Sequence, residues 1–572
     1  MPGSARFLSE RAPRPESFST LADELVSALA AAGITSYFGV PGGAIEPFFN
    51  ALARGRAEGR LEITPMRSEA GAAFAADGYY RETGRLAACV VTAGPGISNL
   101  ITATMSAHAD RIPFLLITPQ VASHKQGRGA LQDSSMDGHD LPRMLASCTR
   151  YSTVVTHAEQ LGHKLARALS AAQRAPSGPV QLALPSDVLA GKPSQGLARP
   201  LSLWASEPTS IVDLAAVDGL VQAVLKARAP VLYVGDDAGP GAAHVRRLAR
   251  ALCAAVVSSP AGKRWLGHRD PTYLGVIGFS GHSEAQRAVE RADLILAFGA
   301  TFDELSTNAW TAIPKVPLYA VDAHSEFAYR LSQARSVVAS TEFVIERLLD
   351  RVRPAMLPSI SPRSSGVQSR RSRDEDQGPV HPKRLMQWLG QVLPDDVVVH
   401  VDAGNSFSWS TRDLTRPCAD TYRVAMGLAT MCWAISAVIG AAIGRRRRTL
   451  CVTGDGSMLM SSLELTVAVE QNLPVTYVIL NDSSLGMVRH GQQLSGAESI
   501  GHEIAHVRFD QLAVACGAHG IRVESQTELE AIEKCWVEAD DRGPCVIDVR
   551  IDRTAVPPMA DRVRGLAEGI PK

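Results

Sequence analysis

One short segment decides how this chain is interpreted: Thr449-Leu450-Cys451-Val452-Thr453-Gly454-Asp455-Gly456-Ser457. An apolar run typical of a strand ends in a Gly-Asp-Gly turn, and a helical pattern follows at residues 459–471. Glycines let the backbone approach a bound group closely, and amides at a helix start suit a diphosphate. Open α/β sheets bind ligands at the carboxyl ends of their strands. We therefore predict that Asp455 holds a cation and that Gly454, Gly456 and Ser457 contact a diphosphate.

A second apolar run, residues 475–480, ends in Asn481-Asp482-Ser483, and 24 residues separate Gly456 from Asn481. That length supplies one helix and one return strand, so the ends of the two parallel strands should lie side by side. Asp455, Asn481 and Ser483 are the predicted metal ligands, because Mg²⁺ prefers oxygen atoms in octahedral geometry. Gly-Asp-Gly alone is more simply interpreted as a plain turn; the pairing with Asn481 favours the metal site.

Strand-like and helical patterns alternate along almost the whole chain, which is typical of α/β proteins with parallel sheets. A chain of 572 residues is also too long for one hydrophobic core. We predict an α/β fold with three doubly wound parallel-sheet domains. Their predicted boundaries are residues 18–190, 210–352 and 384–558, with a polar linker rich in Ser, Pro and charge at residues 353–383. The predicted strands are residues 36–39, 87–92, 114–118, 230–234, 255–258, 294–298, 318–321, 397–401, 450–453, 475–480 and 545–549.

The composition excludes several classes of function. Lys plus Arg and Asp plus Glu both total 58, so no general attraction to nucleic acid or to an anionic membrane is expected. The cluster Arg445-Arg446-Arg447-Arg448 is interpreted as a solvated turn. Nine scattered cysteines without a CxxC pair favour a reducing compartment over disulfides or zinc. The N-terminus lacks the apolar core of a secretory signal, and no apolar stretch is long enough for a transmembrane helix, so a cytoplasmic location is expected.

Further motifs carry a resemblance to a known family. They are Phe38-Gly39-Val40-Pro41-Gly42-Gly43-Ala44, Glu69-Ala70-Gly71-Ala72-Ala73, Thr92-Ala93-Gly94-Pro95-Gly96-Ile97-Ser98-Asn99 and Leu485-Gly486-Met487-Val488. With Gly454-Asp455-Gly456 and Asn481, the chain resembles the acetohydroxyacid (acetolactate) synthase-like branch of the thiamine-diphosphate-dependent enzymes, from about residue 21 to residue 558. The resemblance implies a pyrimidine-binding, a central and a diphosphate-binding domain, with thiamine diphosphate and Mg²⁺ as cofactors. It also implies a homodimer or homotetramer whose active site is shared between two subunits.

The resemblance assigns roles to individual residues. Glu69 would bind the pyrimidine ring nitrogen and favour the tautomer that removes the thiazolium proton, although a surface glutamate at a helix start is the plain alternative. Met431 would bend the cofactor rather than being only a core methionine. The predicted cofactor contacts are completed by Gly404, Asn405, Ser406, Leu485, Gly486 and Met487, and the predicted substrate-facing residues are Gly42, Gly43 and Gln132. Each of these assignments has a plain alternative. Gly404–Ser406 could be a simple loop, Gly42-Gly43 a turn, and Gln132 a surface amide.

The chain also departs from the family it resembles. Gly491 replaces a tryptophan that shapes the acceptor pocket, which leaves room for a bulkier acceptor. Leu131-Gln132-Asp133 replaces Phe-Gln-Glu. Thr301 and Leu305 replace two arginines, one associated with the flavin and one with the acceptor. Gly278-Phe279-Ser280-Gly281 and Asp322 lie where the family approaches the flavin, so FAD is a candidate cofactor, but a weak glycine pattern does not establish that it binds.

We predict a carboligase that decarboxylates a pyruvate-like 2-oxo acid and adds the resulting carbanion equivalent to a second carbonyl. The first alternative is a 2-oxo acid decarboxylase; the absence of a His-His pair, and Ser68 in place of the common histidine, favour ligation instead. A second alternative is a non-catalytic member of the fold, which the joint presence of Glu69, Asp455 and Asn481 disfavours. A nicotinamide-dependent dehydrogenase is excluded because no Gly-x-Gly-x-x-Gly lies between a strand and a helix.

Overall fold

Three parallel sheets of six strands each form the framework of the molecule. The structure, a computed structural model, describes residues 19–194, 212–239, 241–323, 327–352 and 377–559. Contacts between Cα atoms divide the chain into a first unit, Met1–Ala76 with Gly84–Pro208, and a second unit, Asp77–Thr83 with Thr209–Lys572. The first sheet belongs to the first unit, and the other two belong to the second. These sheets and their helices confirm the predicted α/β fold with three doubly wound domains.

The first sheet has the strand order β2-β1-β3-β4-β6-β5. Its strands are β1 (Ser36–Gly39), β2 (Glu62–Pro65), β3 (Ala88–Val90), β4 (Leu115–Gln120), β5 (Tyr151–Val154) and β6 (Val180–Pro185). The helices of this part of the chain are α1 (Leu21–Ala31), α2 (Glu46–Ala57), α3 (Glu69–Thr83), α4 (Pro95–Ser98), α5 (Ile101–Ala109), α6 (Leu141–Ala146), α7 (Leu161–Gln173) and α8 (Ser186–Ala190).

The second sheet has the order β12-β11-β10-β7-β8-β9. Its strands are β7 (Pro230–Val234), β8 (Ala255–Ser258), β9 (Tyr273–Val276), β10 (Leu294–Phe298), β11 (Leu318–Asp322) and β12 (Ala334–Val338). Its helices are α9 (Leu214–Lys226), α10 (Ala242–Leu252), α11 (Ser283–Glu290), α12 (Glu304–Thr307) and α13 (Thr341–Leu349).

The third sheet has the order β14-β13-β15-β16-β18-β17. Its strands are β13 (Val398–Val401), β14 (Tyr422–Arg423), β15 (Thr449–Gly454), β16 (Val475–Asn481), β17 (His519–Val523) and β18 (Cys545–Arg550). The helices are α14 (Pro382–Val392), α15 (Asn405–Asp413), α16 (Trp433–Arg445), α17 (Asp455–Ser461), α18 (Leu465–Glu470), α19 (Gly486–Ser495), α20 (Phe509–Ala515), α21 (Gln526–Glu530) and α22 (Cys535–Glu538).

The strands missing from the sequence prediction are mostly those at sheet edges. The predicted strands 230–234, 255–258 and 294–298 coincide with β7, β8 and β10. The edge strands β2, β5, β9, β12, β14 and β17 were not predicted, and neither was the interior strand β6. Several edge strands, among them β5 and β12, are only partly buried. A strand exposed along one side needs no continuous apolar run, so its sequence carries a weaker signal.

The helix predicted at residues 459–471 begins earlier and is interrupted. Helix α17 starts at Asp455 itself, directly after the extended residue Gly454, and a 3₁₀ turn at Ser462–Glu464 separates it from α18. The prediction was wrong here because the Gly-Asp-Gly segment was taken for a turn outside the helix. Of the predicted linker, residues 353–376 lie outside the described residues, and α14 already begins at Pro382.

The arginine cluster is a solvated turn only in part. Arg446 and Arg447 are exposed, but Arg448 is buried; it donates to the Oγ1 atom of Thr476 at 2.9 Å and to the carbonyl of Ala539. Arg445 forms an ion pair with the buried Glu82. The prediction was wrong for Arg448, because a buried guanidinium with several acceptors is part of the core. All nine cysteines are free, and within the described ranges no helix is long and apolar enough to span a bilayer.

Lys263 joins the second and third sheets, which lie in the same unit. Its Nζ atom donates to the carbonyl oxygens of Ser410, Thr411 and Leu414 at 2.7, 2.8 and 2.7 Å. These carbonyls lie at the C-terminal end of α15, where backbone acceptors lack helical partners. Burial lowers the pKa of Lys263 to about 7. A side chain from the 3₁₀ turn Gly262–Trp265, which follows β8, therefore caps the helix that begins at Asn405.

We expect Lys263→Met to lower the free energy of unfolding by about 2 kcal/mol, because buried carbonyl oxygens at the end of α15 lose their donor. Urea denaturation at neutral pH measures this change. The matched control is Lys226→Met, which removes an exposed lysine at the end of α9 and should leave the midpoint unchanged. Equal midpoints for the two variants would contradict a capping role for Lys263.

Candidate functional site

The parallel pairing of β15 with β16 brings two predicted metal ligands together. Gly454 lies opposite Leu480 in the register, so Asp455 and Asn481 occupy adjacent positions at the carboxyl edge of the third sheet. The Asp455 carboxylate is buried and accepts from the backbone amides of Asp482 at 3.1 Å and Ser484 at 3.3 Å. These hydrogen bonds fix its orientation at the start of α17.

The amide nitrogen of Asn481 is held on the side opposite to its oxygen. Its Nδ2 atom donates to the Oδ1 atom of Asp548 at 2.8 Å and to the carbonyl of Val507 at 3.0 Å. Oδ1 of Asn481 is therefore the atom of this side chain that can face a cation. Asp548 is fully buried in β18 and also accepts from Arg522 at 2.5 Å.

Asp548 is absent from the residues predicted from sequence, although it orients one of them. A single carboxylate inside the apolar run Cys545–Arg550 was the available signal, because a buried charge needs a partner. Asp402 was missed in the same way. It follows β13 directly and is fully buried.

Asp402 connects the loop that carries Met431 to the end of β15. One of its carboxylate oxygens accepts from the backbone amide of Cys432 and from the Oγ1 atom of Thr453, both at 3.0 Å. Burial raises the pKa of Asp402, while hydrogen bonds from Ser457, Cys432 and Thr453 act in the opposite direction. The predicted contact residues Met431 and Ser457 are thus positioned by the same buried carboxylate.

Two carboxylates, Asp455 and Asp482, lie where β15 and β16 end, a region called the cation edge below. Burial, followed by the neighbouring charge of Asp482, raises the pKa of Asp455 to about 7. Burial also raises the pKa of Asp482 to about 6, although Arg489 and Arg553 act in the opposite direction. A divalent cation beside these carboxylates would remove the cost of burying them, and the oxygen donors suit Mg²⁺. The residues present therefore fit this ion.

Ser483 has a positive φ of 53°, and both of its oxygen atoms already have neighbours. Its Oγ atom lies 3.1 Å from Nδ1 of His506, and its carbonyl accepts from the amide of Ile504 at 3.2 Å. A metal contact from Ser483 would use a second lone pair of one of these oxygens. Its role as a ligand stays a prediction.

Four glycines shape the predicted diphosphate region in two ways. A Cβ added to Gly404 or Gly454 would meet no atom within 4 Å, so both backbones are open to a ligand, and Gly404 has a φ of +96°. Gly456 and Gly486 instead permit close packing. A Cβ at Gly456 would lie 2.6 Å from Leu485 Cδ2 and 3.4 Å from Met431 Cε, and a Cβ at Gly486 would lie 2.6 Å from Asn405 Nδ2.

Two further predicted cofactor contacts, Ser406 and Met487, already interact with other parts of the protein. The Oγ atom of Ser406 donates to the carbonyls of Asp402 at 2.9 Å and Ala403 at 3.0 Å, so it is engaged with the backbone before its helix. Met487 packs against the core of the third sheet. The roles of Ser406 and Met487 in cofactor binding stay predictions.

Glu69 lies in the first unit, at the first residue of α3. Its Oε2 atom accepts from Nδ2 of Asn99 at 3.0 Å, and the Oγ atom of Ser68 accepts from the amide of Gly71 at 3.0 Å. A Cβ added to Gly96 would lie 3.6 Å from Oε1 of Glu69, so that oxygen faces the glycine turn after β3. Asn99, to which the sequence motif assigned no role, thus orients the carboxylate.

The predicted substrate-facing residues gather around the same turn. A Cβ at Gly42 would lie 2.6 Å from Thr92 Cβ, and one at Gly94 would lie 2.8 Å from Gln132 Cβ. Gly43 is open, with no atom within 4 Å of an added Cβ. The structure therefore brings Gly42, Gly43 and Gln132 to the carboxyl ends of the strands that also present Glu69. The cation edge belongs to the other unit.

Comparison with protein families gives matches in all three parts of the chain. The thiamine pyrophosphate enzyme N-terminal TPP binding domain matches residues 19–141, the central domain of the same enzymes matches residues 217–348, and their C-terminal TPP binding domain matches residues 402–549.

Similar proteins cover nearly the whole chain. The acetolactate synthase isozyme 2 large subunit of Escherichia coli is 31% identical over 544 residues, which span 92% of this chain and 95% of that protein. An acetolactate synthase of Mycobacterium avium is 28% identical, with 92% and 87% covered. The mitochondrial acetolactate synthase catalytic subunit of Saccharomyces cerevisiae is 27% identical, with 94% and 81% covered.

We expect Asp548→Ala to weaken Mg²⁺ binding about 10- to 100-fold, because the amide of Asn481 loses the carboxylate that orients it. The Mg²⁺ dependence of thiamine diphosphate binding, followed by protein fluorescence, measures the effect. Asp548→Asn keeps the side-chain volume should the alanine variant unfold. The control is Asp510→Asn, whose carboxylate pairs with Arg508 in the same region. An unchanged Mg²⁺ dependence in both Asp548 variants would refute this positioning role.

Proposed function

Because this chain belongs to the thiamine pyrophosphate enzyme family and is an acetolactate synthase-like carboligase, we propose that it decarboxylates a pyruvate-like 2-oxo acid and adds the acyl unit to a bulky second carbonyl. The observation that carries the proposal is the pairing of Asp455 with Asn481 at adjacent strand ends, together with Glu69 at the start of α3. Mg²⁺ is proposed to bind at Asp455 and Asn481.

The chain's own residues perform binding, orientation and proton transfer. Thiamine diphosphate, when bound, would supply the nucleophilic carbon and would stabilise the electron pair that stays on the substrate carbon as CO₂ departs. Asp455 and Asn481 would hold Mg²⁺ against the diphosphate, and the open backbone at Gly404 and Gly454 leaves space for it. Met431 lies beside Gly456 and Leu485, where its apolar side chain would support the cofactor when it is bound.

Glu69 is proposed to hold the proton that activates the cofactor. Its Oε2 atom is engaged by Asn99, so Oε1 is the oxygen that would share a proton with the pyrimidine ring nitrogen. A fixed carboxyl group at this nitrogen favours the reactive tautomer without rearrangement during the reaction. Gly42, Gly43 and Gln132 would then lie beside the bound substrate.

A bulky acceptor is proposed because of Gly491 in α19. A Cβ built on Gly491 meets only the Cε atom of Met559, at 3.9 Å, among the described residues. There is therefore open space beside the Cα atom of Gly491, and residue 491 has no large side chain that would limit the size of the acceptor.

A second copy of this chain is proposed as the partner that completes the active site. Apolar side chains are exposed around the cation edge, among them Leu459, Met460 and Leu463, with Met460 at 62% and Leu463 at 60%. Such a group of exposed apolar residues beside a site is typical of a subunit interface. We propose a homodimer as the minimum, in which Glu69 comes from one chain and Asp455 from the other.

The central sheet does not fit a flavin. Its strand order reverses beside β7, where an open α/β sheet would bind a dinucleotide. The loop after β7 reads Gly235-Asp236-Asp237, and two acidic residues in this loop disfavour the binding of a diphosphate there. Gly235 also packs against Gly299, so that a Cβ on Gly235 would be 2.1 Å from the Gly299 carbonyl oxygen. These residues do not favour FAD as a cofactor.

A cytoplasmic location is proposed on chemical grounds. All nine cysteines are free, four of them buried, as is usual for proteins kept in a reducing compartment. No nucleic acid or membrane partner is proposed, and the partners are the 2-oxo acid, the acceptor and a second subunit.

The decisive experiment incubates the protein with thiamine diphosphate, Mg²⁺ and 2-oxo acids, singly and paired with carbonyl acceptors, and follows CO₂ release and product mass. We expect a condensed 2-hydroxyketone, and we expect Glu69→Gln to reduce its formation at least about 100-fold, since it removes the shared proton. Glu58→Gln, at an exposed position, is the control and should have no effect.

The same experiment separates the alternatives. CO₂ released with only a free aldehyde as product would favour a 2-oxo acid decarboxylase over a carboligase. Absence of both turnover and thiamine diphosphate binding would indicate a non-catalytic member of the fold.

Gly491→Trp should lower kcat/KM for a bulky acceptor about tenfold or more while leaving a small acceptor nearly unaffected, because the indole would fill the space beside Met559. Steady-state kinetics with a small and an aromatic carbonyl acceptor, at a fixed 2-oxo acid donor, measure the ratio. An equal loss for both acceptors would show that Gly491 does not limit acceptor size.

A further inference from the structure

His490 in α19 lies against the first residue of α15, outside the set of residues predicted to bind the cofactor. Its ring is 2% exposed. Its Nδ1 atom lies 3.3 Å from Nδ2 of Asn405, and its Nε2 atom lies 3.0 Å from Nη2 of Arg489. Burial and then the charge of Arg489 lower the pKa of His490, so the ring is neutral near pH 7.

These contacts cannot all be hydrogen bonds, because donor groups face each other. A neutral imidazole has one donor and one acceptor nitrogen, yet the nearest polar neighbour of each ring nitrogen of His490 is a nitrogen donor. Meanwhile the Oδ1 atom of Asn405 is buried without a hydrogen-bond partner. An unsatisfied buried oxygen next to an unsatisfied ring nitrogen is unfavourable, because both atoms lose their hydrogen bonds to water without gaining a partner.

Exchanging the oxygen and nitrogen of the Asn405 amide removes the conflict. The amide group occupies nearly the same space in both orientations, so the surrounding hydrogen bonds decide which end is oxygen and which is nitrogen. Oδ1 then accepts from Nδ1–H of His490, while Nε2 accepts from Arg489 at the shorter distance. The other tautomer, with Nε2–H, would gain only a 3.4 Å contact to the carbonyl of Arg553 and would place its hydrogen against Arg489.

This arrangement turns the Nδ2 atom of Asn405 away from His490. Asn405 follows Gly404, whose backbone is open to a ligand, and it begins a helix of nine residues. An amide donor at this position requires an acceptor, and a phosphate oxygen at the start of the helix supplies one.

We propose that His490 is a positioning residue that holds the Asn405 amide with its nitrogen directed at the diphosphate of the cofactor. The proposal rests on the proposed function, because it presumes that thiamine diphosphate binds at this helix. His490 acts through Asn405 and does not itself touch the diphosphate. Arg489 completes the arrangement by donating to the second ring nitrogen.

The test compares His490→Leu with His490→Gln in fluorescence titrations with Mg²⁺, using thiamine diphosphate and unphosphorylated thiamine as probes. Leucine removes both hydrogen bonds, whereas glutamine keeps a donor for Asn405 and an acceptor for Arg489. We expect His490→Leu to raise the Kd for thiamine diphosphate about tenfold and to leave the Kd for thiamine unchanged. His490→Gln should restore binding to within about threefold of wild type.

A second comparison separates positioning from general damage. In an Asn405→Ala background, His490→Leu should add no further loss, because the residue through which it acts is gone. The control is His519→Leu, which removes a histidine of β17 that stacks on Trp536 of α22 and should not change either Kd. If the leucine variant unfolds, His490→Asn, which is too short to reach Asn405 and Arg489 together, takes its place.

Equal losses for thiamine and thiamine diphosphate, or an undiminished loss in the Asn405→Ala background, would overturn the proposal. Wild-type protein that binds no thiamine diphosphate would instead overturn the proposed function on which it rests. The two failures are distinguishable because the first requires wild-type binding.

Discussion

The parallel register between β15 and β16 is the constraint on which the candidate site depends. It places Asp455 beside Asn481, two residues that are far apart in the chain, at the same edge of the third sheet. The buried carboxylate of Asp455 then lies close to the partly buried carboxylate of Asp482, and desolvation raises the pKa of both. Ionising both carboxyl groups is therefore unfavourable in the protein alone, and a divalent cation bound between them would make it favourable.

Buried polar side chains behind the site hold this arrangement in place. Asp402 binds the loop before α16 to the end of β15, and Asp548 holds the amide of Asn481. Lys263 caps the far end of α15, the helix whose first residue is Asn405. Each of these groups is satisfied by several hydrogen bonds, which is the condition under which a buried polar group can be retained.

The sequence was most informative where a residue type is required by chemistry or by backbone geometry. The Gly-Asp-Gly segment and the spacing to Asn481 predicted the neighbouring positions that the structure shows, and the interior strands β7, β8 and β10 were predicted to the residue. Edge strands such as β5 and β17 lacked a continuous apolar run. Asp402 and Asp548 gave only the weak signal of one charge beside or within an apolar strand.

By itself, the sequence determined the α/β class, the family and the residue types at the cation edge, because glycine turns and strand-end carboxylates are local features that chemistry restricts. Only the tertiary structure decided which polar groups orient them. The contacts of Asn99 with Glu69, of Asp548 with Asn481 and of His490 with Asn405 join separate elements. Such contacts depend on how strands and helices pack, and no pattern along the chain specifies them.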